Sequence, residues 1–372
     1  MKITVESHLL AKNLNVLKKV VPSLNTIPIL NCFLFQVVDS KLTIIASDLE
    51  TTLEIKTAAT CSEEKGSFAV AADLIMEIVK SLSDDSIVLN FSDRELEIES
   101  LSGNYKMAVD DSREFPKTPI TTEESSIVLE SHILNKALQN TLFATGTDDL
   151  RAMLTGVCID FQKEALVFVA TNANILVKYT RKDIKTDDPK QLIMPKKPIM
   201  VLIGALSGKD EEVKIGFNKT NISFEMENTM MLCRLIDAKY PAYENVIPKD
   251  NPNTLEINRG ELLKSIKRIA IFANKITSQV VFDKKWNSLT ILSEDKDYNN
   301  KAVEMLTVIG DGDDLKIGFN ARFLNELLSH LDCEKVKIEM SQPNRAGVIT
   351  PVETKDENES ILMLVMPVMI TK

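Results

Sequence analysis

The sequence predicts an α+β protein made of three similar domains. Three observations carry that prediction: one helix–turn–strand phrase occurs three times, its landmarks recur at a period near 125 residues, and the candidate strands are separated by too little helix for parallel crossovers. The phrase reads LIMEIVKSLSDDSIVLNF (74–91), IMVLIGALSGKDEEVKIGF (199–217) and FLNELLSHLDCEKVKIEM (323–340). Its closing residues Phe91, Phe217 and Met340 lie 126 and 123 apart. A strand ending in a small polar residue puts Ser47, Thr171 and Ser293 at spacings of 124 and 122. An apolar or aromatic residue before proline recurs as Phe115-Pro116, Tyr240-Pro241 and Met366-Pro367, with the prolines 125 and 126 apart.

Each copy then reads in order. ESHLLAKNLNVLKKV, ESHILNKALQNTLFAT and NRGELLKSIKRIAIFA place apolar residues at i, i+3, i+4 and i+7, which predicts long helices over 6–20, 131–145 and 260–274. Several strands follow, recognised by alternation as in DRELEIES and DLKIGFN. The repeated phrase adds a second, shorter helix over 72–82, 196–207 and 321–331. Each domain therefore has two helices that can cover one face of its antiparallel sheets. The polar, proline-bearing stretches 110–126 and 239–256 cannot continue a helix or a central strand. They set domains at 1–122, 123–250 and 251–372.

Composition narrows the function. The chain has 372 residues, 44% hydrophobic and 26% charged, as in soluble globular proteins. No apolar run approaches the roughly 20 residues that span a bilayer. The opening MKITVESHLL lacks the apolar core and cleavage site of a secretory signal, so a cytoplasmic protein without a membrane partner is expected. Cys32, Cys61, Cys158, Cys233 and Cys333 are odd in number and form no CxxC pair, which fits reduced thiols. The three histidines, His8, His132 and His330, join no HExxH motif, and there is no GxSxG or EF-hand loop. GALSGKD (204–210) is one residue short of a phosphate loop and lacks its Ser/Thr. Asp84-Asp85 and DGDDLK (311–316) read as turn formers. The expectation is no enzyme, no metal and no cofactor.

Charge adds a positive clue. The net charge is −10, which argues against a nucleic-acid partner until it is sorted by element. The six predicted helices carry eleven basic residues (Lys12, Lys18, Lys19, Lys80, Lys136, Lys196, Lys197, Lys264, Lys267, Arg268 and Arg322) against five acids, a balance of +6 that leaves −16 elsewhere. Glutamate forms helices as well as lysine does, so helix propensity does not account for this bias. Basic helices on an acidic body suit the phosphate backbone of duplex DNA, read without sequence preference. A scaffold for an acidic partner, or a metal-dependent nuclease built on the acidic turns, are the rival readings.

The segments TIPILNCFLFQV, ASDLETTLEI, LTGVCIDF, VATNANILVKY, MPKKPIMVL, YPAYENVIPK, LKIGFNARFLNELL and LVMPVMI appear in this order along the whole chain. In them the chain resembles the beta subunit family of bacterial DNA polymerase III, the sliding clamps. The resemblance implies the DNA-clamp fold in a ring-shaped head-to-tail homodimer with helices lining the hole, and a non-catalytic processivity factor that encircles duplex DNA. It implies as partners the replicative polymerase subunit, a clamp-loader ATPase and other proteins that carry a clamp-binding motif. By resemblance, Lys12, Lys19, Lys80, Lys136, Arg151, Lys196, Lys197, Lys264 and Lys267 face DNA, and Tyr105, Ile271 and Phe272 meet across the subunit boundary. A partner peptide would enter a pocket of Leu154, Thr171, Ala173, Asn174, Leu176, Pro241, Val246, Asn320, Phe323, Met366, Pro367, Val368 and Met369, with Asn320 as its polar handle. The family often has Gly-His-Arg where Ala173, Asn174 and Ile175 stand, and Arg where Asn245 and Met369 stand, so a less basic, more apolar pocket is expected. It also often has Arg in the loop where this chain reads PSLNT (22–26).

Overall fold

A computed structural model describes the whole chain except residues 23–25, 83–84, 93, 120–121 and 371–372. Most of the PSLNT loop, and Asp84 of the first acidic pair, therefore lie outside the described residues. Six α-helices form where the periodicity predicts them: α1 (Ser7–Leu17), α2 (Ala72–Ser81), α3 (Ser131–Leu142), α4 (Lys196–Leu206), α5 (Arg259–Ala270) and α6 (Ala321–Ser329). The long helices stop three to four residues before their predicted ends. Their last turns tighten to i→i−3 bonds instead, such as Val20 N to Leu17 O, Thr145 N to Leu142 O and Ala273 N to Ala270 O. The Gly208 of GALSGKD follows α4 at φ +72°, so this stretch is a helix end.

The repeat is visible as one pairing made three times. The strand before each long helix lies antiparallel to the strand after each short one: Lys2–Glu6 on Ser86–Phe91, Ser125–Glu130 on Glu212–Phe217, and Asn253–Asn258 on Lys335–Met340. Phe91, Phe217 and Met340 each end the second strand of their pair. Alternate residues turn inward, as in Ile3, Val5, Ile87 and Leu89, and the helices bury Leu10, Leu14 and Leu17 of α1 and Ile75 and Val79 of α2. The proline landmark is not structurally equivalent. Pro116 and Pro241 stand six and seven residues beyond the preceding strand, whereas Pro367 stands two beyond its own.

The chain forms two compact units, 1–135 with 194–235 and 136–193 with 236–372. The first holds a thirteen-stranded sheet and the second a nine-stranded and a four-stranded sheet. The middle repeat is divided because strands pair across repeats. Thr51–Thr57 lies antiparallel to Thr229–Arg234, with Thr51 opposite Cys233. Ile175–Arg181 lies antiparallel to Glu359–Val365, with Ile175 opposite Val365. Two strands lack such a neighbour among the described residues. Asn300–Thr307 is an edge, paired only with Ser288–Asp295. Gly103–Asp110 pairs with Glu95–Ser100 from Gly103 to Ala108, and meets Lys65–Ala71 only at Val109 and Asp110.

Candidate functional site

In the second unit a strapped turn, a cavity and the C-terminal tail come together. The turn joins Leu166–Thr171 to Ile175–Arg181. Asn172 Oδ1 accepts from the amides of Asn174 (2.9 Å) and Ile175 (3.0 Å), and Thr171 Oγ1 accepts from Ala173 N (3.1 Å) and donates to Ile175 O (2.6 Å). Ala173 sits at φ +74°, a conformation that favours glycine, so the turn carries local strain. Beside it a cavity of about 230 Å³ is lined by Gly146, Thr147, Asp148, Arg151, Leu154, Asn172 and Asn174. The tail arrives on the same turn, where Met366 N donates to Asn174 O at 2.8 Å.

The other predicted pocket residues divide. Pro241, Val246 (56% exposed), Met366 and Met369 (83% exposed) present surface. Val246 follows a short turn, Tyr243–Asn245, whose phenol donates to Asp160 Oδ2 at 2.6 Å. Burial and the Asp160 carboxylate push the Tyr243 phenol above its ordinary pKa, so it stays a donor. Leu176 differs from expectation. It is 2% exposed, in a core with Tyr240, Tyr243 and Leu364, because its strand is paired on both sides. Asn320 is not a free handle either. Its Oδ1 caps α6 through Arg322 N (2.9 Å) and its Nδ2 donates to Thr277 O (3.0 Å). Phe323, Pro367 and Val368 are half-buried. The last strand ends at Val365, before Pro367 removes a ladder donor, and Met366–Ile370 does not extend it.

Arg151 also departs from expectation. It lines the cavity, and its Nε donates to Asp148 Oδ2 at 2.9 Å. The Arg151 hydrogen bond, with the Leu150 amide, holds the Asp148 carboxyl below its ordinary range. The sequence reading missed Gly146, Thr147, Asp148 and Asn172 as cavity residues. The readable signals were the i,i+3 Asp148–Arg151 spacing and the small polar turn Asn172-Ala173-Asn174.

The predicted DNA-facing lysines lie on helices, but not all are free. Lys197 holds Asp48 and the Val20 carbonyl (2.9 Å). Lys136 pairs with Glu359 (2.7 Å), and Lys80 donates to Asn15 (3.2 Å). Lys19 packs over Gly204, where an added Cβ would meet its Nζ at 2.3 Å. Among the described residues, Lys12, Lys19, Lys196, Lys264 and Lys267 form no ion pair, while Lys18 pairs with Asp73 and Arg268 with Glu304. At the predicted subunit boundary, Ile271 (77% exposed) and Phe272 (41%) follow α5, and Tyr105 stands on the half-paired strand Gly103–Asp110. One group of metal-type ligands among the described residues, Glu130, His132 and Asp210, gathers within 4.8 Å at the surface. Among the described residues, no helix is long and apolar enough to cross a membrane.

Known proteins match this arrangement end to end. Family models described as the N-terminal, central and C-terminal domains of DNA polymerase III beta subunit match residues 1–119, 128–242 and 244–369. The beta sliding clamp of Haemophilus influenzae is 27% identical, covering 91% of this chain and 92% of that one. The clamp of Vibrio cholerae is 26% identical over 99% of this chain and all of its own length. The crystal structures of the beta subunits of Thermotoga maritima and Pseudomonas aeruginosa, each 25% identical and covering both chains fully, superpose with TM-scores of 0.92 and 0.93. The chain belongs to the bacterial DNA polymerase III beta subunit family, the beta sliding clamps, and is an α+β protein with the three-domain DNA-clamp fold and a non-catalytic role.

Proposed function

We propose that two copies of this chain close head to tail into a ring around duplex DNA and act as a processivity factor in the cytoplasm. The ring would tether the replicative polymerase and be opened by a clamp-loader ATPase. The observation that carries this reading is the contrast between joined and open strand edges. Within the chain, the last strand of the second repeat joins the first repeat, and the last strand of the third joins the second. The last strand of the first repeat and its would-be partner in the third are left with open edges. A second copy supplies both missing neighbours, and the repetition then closes on six domains. The bounds 1–122, 123–250 and 251–372 belong to this proposal, supported by the three matched models.

The joined pairs also suggest a register. Ala302 lies opposite Ser293 as Leu53 lies opposite Ala46, and Met107 lies opposite Leu96 as Cys233 lies opposite Ile222. Since Cys233 sits opposite Thr51, Met107 would sit opposite Asn300 of the second copy, and Tyr105 opposite Ala302. Ile271 and Phe272 would add apolar anchors.

On the ring, the basic helices would hold phosphate without reading bases, so the protein slides. Lys12, Lys19, Lys196, Lys264 and Lys267 suit this best, since among the described residues no carboxylate pairs with them. Tethering raises the effective concentration of a partner, which rebinds before it diffuses away. The partner's attachment would be a short peptide, shared by the polymerase, the clamp loader and other clamp-binding proteins, laid across Leu154, Asn174, Pro241, Val246, Met366 and Met369. Flexible, polarizable methionines at a rim suit several partners. The test is topological: loaded protein should stay on closed circular DNA and slide off once the circle is cut to a linear form. Equal retention on both would overturn the ring.

A further inference from the structure

Resting on the peptide groove proposed above, we propose that Gly318 and Gln279 are its positioning residues: they dock the C-terminal tail on the edge of the four-stranded sheet and so hold Met366 and Met369 in place. Neither residue belongs to the predicted pocket. Gly318 lies in Leu315–Asn320, the edge strand of that sheet, and Gln279 opens the neighbouring strand Gln279–Lys285. Once the last strand ends at Val365, the tail crosses to this edge. Gly318 and Val368 form an isolated antiparallel bridge, with Val368 N donating to Gly318 O at 2.9 Å. Gln279 Nε2 donates to Met369 O at 2.9 Å.

This crossing needs glycine for space rather than for backbone conformation. A Cβ on Gly318 would lie 2.7 Å from Val368 O, 2.9 Å from Gln279 Nε2 and 3.2 Å from Ile370 Cγ1. The first is a backbone atom, so the tail itself would have to move. The tail is tied at three points, Met366 N to Asn174 O, Val368 to Gly318, and Met369 O to Gln279. Only the first lies on the strapped turn. Without the other two, the exposed methionines at 366 and 369 would hang from one bond, and each peptide would have to order them on binding.

Peptide affinity, thermal melting and backbone exchange in the full-length protein test this. The probe is a synthetic peptide from the clamp-binding end of the replicative polymerase subunit. Gly318→Ala is expected to weaken peptide binding on the order of tenfold and Gln279→Ala about fivefold. The Val368 amide should exchange faster in Gly318→Ala, while melting and dimer mass stay as in the natural chain. In a chain shortened to end at Pro367, Gly318→Ala should change peptide affinity no further. Unchanged affinity in both single variants would overturn the inference, as would a further loss in the shortened chain, which would mean that Gly318 acts through the sheet alone. If the natural chain itself binds no peptide, the groove reading fails first and this inference with it.

Discussion

The strands Thr229–Arg234 and Gly103–Asp110 close successive repeats, yet they live in different circumstances. The first is sealed against Thr51–Thr57 along five residue pairs. The second leaves most of its outer edge open. The same contrast separates Ile175–Arg181, sealed by Glu359–Val365, from Asn300–Thr307, which has one neighbour. Natural sheets seldom leave long edges unmanaged, because an open ladder recruits other chains. Here the outward residues of Asn300–Thr307 include exposed Val303 and Met305, so this edge is not blunted by charge throughout. A repeat that joins its edges twice inside the chain leaves, in the proposed ring, the third junction to a second copy.

Proline separates the two kinds of edge most sharply. Leu232→Pro removes a ladder donor from a strand paired on both sides and a buried side chain, and should cost about 3 kcal/mol or more, seen as a large drop in melting temperature. Val303→Pro on the open edge should barely move the melting of the monomer but weaken dimerisation. Equal melting penalties would erase the distinction.

Ile271→Ala with Phe272→Ala should next turn the dimer into a folded monomer. Both side chains are exposed within one chain, so their loss costs the fold little, whereas burial of each at an interface contributes roughly 1.5–3 kcal/mol. Sedimentation should move from twice 41.6 kDa to that single mass. An unchanged dimer would reject these anchors.

The junction of Ile175–Arg181 with Glu359–Val365 also carries the proposed groove. Val246→Asp should leave the ring intact and abolish peptide binding. Desolvating an unpaired carboxylate costs several kcal/mol, against roughly 8 kcal/mol for a micromolar peptide. Calorimetry with unaltered affinity would move the site elsewhere.

The smallest effect is acid sensitivity at the open edge. The Arg268 guanidinium, bonded to Glu304 at 2.8 and 2.6 Å, holds that carboxyl below its ordinary value of 4.5. A depressed pKa stabilises the folded state above the unfolded value, and that contribution is lost as pH falls through the folded one. The tie of α5 to Asn300–Thr307 should therefore be constant from pH 8 to about 5 and fade below about 4.5. Glu304→Gln should flatten this part of the pH profile of dimerisation.

Much of this was legible in the sequence. Helical periodicity located α1 to α6, because apolar spacing is set by the face each helix buries. Phe91, Phe217 and Met340 marked equivalent strand ends, because the same pairing recurs around them. The groove was legible only in part. Val246 and Met369 were expected there through likeness to the family, and both present surface. The roles of Leu176, Asn320 and Arg151 depended on long-range partners, namely a second strand, the Thr277 carbonyl and Asp148. The proline landmark misled because Pro367 interrupts a strand while Pro116 and Pro241 sit in connecting segments, and spacing alone does not separate the two.

The most direct test of the central claim is a cross-link at the proposed register. Directly opposed residues of antiparallel strands share a face, with Cα atoms about 4.5–5.5 Å apart, within reach of a disulfide. A chain carrying Tyr105→Cys and Ala302→Cys together, mildly oxidised, should form covalent dimers closed at both boundaries. Either substitution alone, or Tyr105→Cys with Leu306→Cys, should not. Covalent dimers from the offset pair at equal yield, or none from the aligned pair, would contradict the closure of these two edges on each other.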